Sequence, residues 1–134
     1  MLGEKVGNET GRVVLRRVLP SDGGPPRVET TFEATGKLLG VDVQDMGTYT
    51  AVVRPDGTLF GEGQGVIMSA TGEMATWTGQ GVGIFNSKGG IDFRGAIYYQ
   101  SQSPKFARLN QMAAVYEHGA DATGAVKTEI WEWK

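Results

Sequence analysis

At 134 residues with a net charge of −2, the chain is sized for one domain around one hydrophobic core. That charge balance gives no basic nucleic-acid surface. The absence of cysteine removes disulfides and thiolate metal sites from consideration. No apolar run approaches the roughly 18 residues of a membrane helix, and the start, Met1-Leu-Gly-Glu-Lys-Val-Gly-Asn8, lacks an apolar signal core. The expectation is a cytoplasmic protein with no nucleic-acid and no membrane partner.

In chain order, residues 1–11 are polar and glycine-containing and read as a loose start or a fraying first strand. Arg12 to Leu19 is β-branched-rich and stops at Pro20, and Ser21 to Pro26 is a loop by turn chemistry. Arg27 to Thr35 alternates as a strand, with Leu38 to Asp45 a continuation or a bend. Thr48 to Arg54 is a strand, and Pro55-Asp-Gly-Thr58 is a hairpin turn. Phe60 to Met68 and Ala75 to Phe85 then form a hairpin with glycine at alternate positions on both arms. After the turn Asn86 to Gly90, Ile91 to Tyr99 is a strand. Ala107 to His118 and Ala125 to Trp133 close the chain around Asp121-Ala-Thr-Gly124, with a helical turn near 104–110 as the alternative to strand there. The fold class is therefore all-β: a single antiparallel up-and-down barrel of about eight strands spanning residues 1–134. Closure hides every strand edge.

The glycines of the hairpin at 60–85 set the expected interior. With a two-residue Thr71-Gly72 turn, residue i faces 143−i, and paired residues share a face. Glu62, Gln64, Val66 and Met68 then point inward with Trp77, Gly79, Gly81 and Gly83, while Gly61, Gly63 and Gly65 point outward. Two-residue turns elsewhere turn Tyr49, Ala51 and Val53 inward, and pairing Phe85 with Ile91 adds Phe93, Ile97 and Tyr99. Pairing Ala120 with Ala125 sets Tyr116 against Glu129 and Ala114 against Trp131. A one-residue slip would reverse any of these strands.

This places an apolar lining around a few polar groups, the usual form of a ligand pocket. Glu62 and Glu129 are the candidate catalytic acids, because a carboxylate in such a lining has its pKa raised towards neutrality. The alternatives are a solvated surface carboxylate for Glu62 and a structural tyrosine partner for Glu129. Tyr49, Gln64, Trp77, Phe93, Tyr99, Asn110, Tyr116 and Trp131 are the candidate ligand contacts, with turn-capping the alternative for Asn110 and core filling for Trp131. His118 is the only histidine, so no zinc site and no cofactor is expected. The alternating Gly61-x-Gly-x-Gly65 and Gly79-x-Gly-x-Gly83 lack the strand-to-helix turn of a dinucleotide fingerprint and instead serve curvature and space.

The glycine-rich alternating strands, with Leu109-Asn110, Val115-Tyr-Glu117, Asp121-x-x-Gly124 and Trp131-Glu-Trp-Lys134, give residues 27–134 a pattern that resembles small bacterial barrels of the allene-oxide-cyclase-like fold. The resemblance implies a barrel with an apolar cavity. The cyclase site does not map onto this chain residue by residue, and fold does not determine function. Three readings follow: a barrel binding a hydrophobic or amphipathic small molecule, a cofactor-independent isomerase or cyclase using an interior carboxylate, and a structural or homo-oligomer-forming module without ligand.

Overall fold

The computed structural model describes residues 1–134 and is an eight-stranded closed barrel in which each strand pairs antiparallel with its chain neighbours and β8 returns to β1. The strands are β1 Leu2–Leu19, β2 Arg27–Leu38, β3 Val41–Val53, β4 Leu59–Ser69, β5 Met74–Phe85, β6 Ile91–Gln100, β7 Ala114–Ala120 and β8 Ala125–Trp133. The loose start expected for residues 1–11 is in fact the first half of β1. It is held on both sides, by β2 through pairs such as Asn8 with Lys37 and by β8 through Asn8 with Glu129. Local composition could not show this, because the partners lie far along the chain.

Turn length decides which side chains face inward. The connections after β3, β4, β5 and β7 are three-residue loops, each ending in a glycine with positive φ: Gly57, Gly72, Gly89 and Gly124. Their carboxylate or amide side chains tie the loop down. Asp56 accepts from Thr58 N at 3.0 Å and Thr58 Oγ1 at 2.6 Å, and Asp121 accepts from Thr123 N at 2.9 Å and Ala125 N at 3.0 Å. Leu39-Gly40 is the one two-residue hairpin, with both residues at positive φ as a type I′ turn requires.

Loop length corrects two strands, the β4–β5 loop being one residue longer than expected and the β7–β8 loop one residue shorter. In the β4–β5 pair Ile67 faces Ala75 and Gly61 faces Gly81, a sum of 142 and not 143. Glu62, Gln64, Val66 and Met68 therefore point outward, and Gly61, Gly63 and Gly65 join Gly79, Gly81 and Gly83 on the interior face. In the β7–β8 pair Tyr116 faces Ile130, so Glu129, Trp131 and Trp133 lie outside while Val126, Thr128 and Ile130 are buried. The inward sets on β3, β5, β6 and β7 stand as expected.

Four of the six interior glycines of β4 and β5, and Gly47 on β3, carry aromatic side chains. A Cβ at Gly65 would sit 2.3 Å from the Trp77 indole and one at Gly47 2.5 Å from it. Phe93 lies against Gly61 and Gly83, where a Cβ would be 3.1 and 2.7 Å away, and the Tyr116 hydroxyl lies 2.5 Å from the Cβ position of Gly81. Glycine on a curved wall thus makes room for aromatic rings lying flat on it.

The stretch at 104–111 is a 3₁₀ helix, Pro104–Gln111, and not a strand. Pro104 starts it, and it folds across one end of the barrel as a plug, burying Phe106 and Leu109 completely. The main core gathers above this plug, with Leu38, Ile67, Ala75, Trp77, Tyr99 and Ile130. A second, smaller cluster of Ala51, Leu59 and Phe93 lies towards the hairpin loops at the opposite end, against half-buried Tyr49, Val53, Ile91 and Tyr116. No helix is long and apolar enough to cross a membrane.

Candidate functional site

The interior encloses a cavity of about 50 Å³. Its walls are Phe32, Tyr49, Trp77, Phe93, Ile97, Tyr99, Tyr116, His118 and Ile130, with Asp45 and Thr128, over a floor of Gly61, Gly63 and Gly79. Five of the eight expected ligand contacts, Tyr49, Trp77, Phe93, Tyr99 and Tyr116, come together here. Glu62 borders the space with its backbone only, since its side chain is exposed beside Gln80 on the outer face.

The other expected residues lie elsewhere. Glu129 is an outer-face carboxylate held by Lys5 at 2.7 Å and Lys127 at 3.3 Å, and these partners keep its pKa below the usual range. Gln64 is exposed between Thr48 and Thr78. Trp131 lies outside, with the Lys5 ammonium 5.7 Å from its ring. Asn110 caps the chain turn into the plug, accepting from Ser101 N and donating to Ser101 O, both at 2.8 Å. Neither candidate acid reaches the interior, so the isomerase or cyclase built on Glu62 or Glu129 is withdrawn.

Three other titratable groups are inside. Glu9 on β1 and Asp45 on β3 are both buried, at 2% and 7% exposure. No N–H or O–H donor reaches either Glu9 oxygen, while Trp77 Nε1 donates to Asp45 Oδ1 at 2.9 Å. Glu9 is held protonated at neutral pH by its burial beside Asp45, which faces the indole N–H. Burial, followed by the neighbouring Asp45, pushes the Glu9 pKa up to about 10, and burial also raises that of Asp45. Burial, then the charges of Glu9 and Asp45, raises Tyr99 well above its ordinary value.

His118 is the third group. Its ring packs between Phe32 (centroids 5.1 Å apart), Tyr49 (5.8 Å) and Phe93 (6.4 Å). Nδ1 shares a hydrogen bond with Thr128 Oγ1 at 2.7 Å, and Nε2 has no partner. Burial lowers its pKa to about 4, so the imidazole is neutral at physiological pH. Burial also raises Tyr49 and pushes Tyr116 up to about 12, keeping both phenols protonated. The site is thus a ring-lined space with hydroxyls, a neutral imidazole and a buried pair of carboxyl groups. No cluster of histidine, aspartate and glutamate forms a metal site.

No protein family and no curated protein matches the chain. Solved structures do. A protein of unknown function from Clostridium acetobutylicum superposes with a TM-score of 0.83 at 15% identity, covering 98% of this chain and 97% of that one. A conserved protein of unknown function from Rhodopseudomonas palustris gives 0.81 at 17% identity, with coverage of 98% and 97%. A beta-barrel like protein from Acinetobacter baumannii gives 0.82 at 16% identity, with coverage of 100% and 96%. At these identities the likeness is one of fold: the chain is an eight-stranded antiparallel barrel of a kind found in bacterial proteins.

Proposed function

We propose that this barrel binds a small, largely apolar molecule in its ring-lined interior. The observation that carries the reading is the cavity itself, left open among Tyr49, Phe93, Ile97, Tyr116 and Ile130 where one larger side chain would close it. It has about a third of the volume of an engineered apolar cavity that holds benzene, so a short aliphatic chain suits it better than a ring. The half-buried Tyr49 and Tyr116 stand where the cavity meets the loop end and are the side chains that would swing to admit a longer tail. The resemblance to allene-oxide-cyclase-like barrels supports an interior site by architecture alone.

The test is a titration with butan-1-ol followed through the δ1 methyls of Ile97 and Ile130. Saturable shifts at both in the parent chain, with the Ile130 shift lost in Ile97→Phe and the spectrum otherwise folded, support the reading. Unmoved methyls in the parent chain, or an unchanged Ile130 shift in Ile97→Phe, reject it. A second reading, self-association, rests on a separate observation: Met46, Val66, Met68 and Met74 form a neighbouring exposed apolar group on the outside of β3–β5. Sedimentation velocity on Val66→Lys against the parent chain tests it, a shift to smaller species being the expected result.

A further inference from the structure

We propose that Arg16 makes the interior site selective for molecules with an apolar tail and a carboxylate head. The inference rests on the interior-binding reading and adds the class of ligand. It starts from the unequal height of the barrel wall. The last β1–β8 pair is Arg12 with Ala125, and Val13 N donates to Gly124 O at 2.7 Å. Beyond that point β1 pairs only with β2, as far as Leu19 with Arg27. Residues 15–19 therefore stand above the rim next to the loop end.

Register puts Arg16 on the interior side of that raised wall. Arg16 pairs with Thr30, Thr30 with Tyr49, and Tyr49 with Gly63. Paired residues share a face. Thr30 is buried, and Tyr49 and Gly63 line the cavity. The Arg16 charge reaches the Tyr49 hydroxyl, where with Thr30 it opposes the effect of burial. Arg16 is exposed and makes no ion pair, whereas Arg17, on the outer face, pairs with Glu29 at 3.2 Å. The loop carboxylates Asp56 and Asp121 are occupied by the hydroxyls and amides of their own turns.

The cavity is thus electrically polar along its length. The free guanidinium overlooks Tyr49, and the acid pair lies at the other pole beside Tyr99 and Trp77. A carboxylate entering tail first places its charge beside Arg16 and away from Asp45. The guanidinium fork matches a carboxylate in two parallel hydrogen bonds. An amine of the same length meets Arg16 as a like charge.

The experiment compares butanoate, butan-1-ol and butylamine at equal ionic strength, read at the Ile97 and Ile130 methyls. Butanoate is expected to bind about five-fold tighter than the alcohol, the scale of one exposed ion pair. The gap should shrink with added salt. It should close in Arg16→Gln and persist in Arg17→Gln. If the alcohol binds but butanoate binds no tighter, or if the gap survives Arg16→Gln, the inference is overturned while interior binding stands. Tightest binding by butylamine overturns it as well, and assigns selectivity to the acid pair. Failure of the alcohol itself to bind removes the interior reading and this inference with it.

Discussion

The two ends of the barrel are built differently. At one end the 3₁₀ helix drives Phe106 and Leu109 into complete burial, and the largest apolar cluster stacks on them. At the other end, closure is left to the rings of Tyr49, Phe93 and Tyr116, and the residual space lies between these rings and the main core. One end is a structural floor and the other a ring-lined mouth. The difference teaches where a substitution should cost stability and where it should change binding.

The largest effect should come from breaking the floor. Phe106→Ala should cost about 3–5 kcal/mol in urea unfolding, the usual loss for a buried phenylalanine. Ile91→Ala, half-buried at the mouth, should cost on the order of 1 kcal/mol, since only part of its side chain leaves water. Equal losses would remove the distinction between the ends. Next comes the glycine wall. Gly65→Ala forces a methyl into the Trp77 indole and should cost about 1–3 kcal/mol. Gln64→Ala, one residue away on the outer face, should stay within about 0.5 kcal/mol.

The buried acids make a pH prediction. The Glu9 pKa rises from 4.5 to about 10 on folding, so above pH 4.5 the folded chain keeps a proton that the unfolded chain has released. Stability must therefore fall as pH rises across that window. His118 drops from 6.5 to about 4, and its contribution is lost as pH falls through the interval between them. The two slopes oppose each other below pH 6.5, and above it the acid pair acts alone. Unfolding free energy should decline from pH 6.5 to 9 by up to about 1.4 kcal/mol per pH unit, the limit for one proton. Glu9→Gln, which donates to Asp45 without titrating, should flatten that decline. A profile that stays steep in the variant would refute the buried proton on Glu9. The smallest effects belong to the outer carboxylates: Glu62→Gln and Glu129→Gln should leave butan-1-ol binding and the urea midpoint unchanged.

Much of this was legible in the sequence, and the misses share one cause. Trp77, Phe93, Tyr99 and Tyr116 fall on the expected inner face, β5 and β6 pairing through Phe85 with Ile91 as expected, while Tyr49 does so because a misphased β4 and a turn taken one residue short cancel. Glu62, Gln64, Glu129 and Trp131 come out on the wrong face because a loop length is off by one, the β4–β5 loop taken one residue short and the β7–β8 loop one residue long. The glycine at the third loop position, in Pro-Asp-Gly, Ala-Thr-Gly and again Ala-Thr-Gly, is the available signal for a three-residue loop. Asp45 and His118 were within reach, since the parity that turns Tyr49 and Tyr116 inward also selects them. Glu9 was not, because its strand is defined by partners at both distant ends of the chain.

The most direct test of a ring-lined mouth over a solid floor is xenon, a neutral probe that fills small apolar cavities. Under xenon pressure, the δ1 methyls of Ile97 and Ile130 should shift saturably and that of Ile67, in the packed core and outside the cavity lining, should not. Xenon shifts centred on Ile67 and the plug, or none at Ile97 and Ile130, would contradict the account.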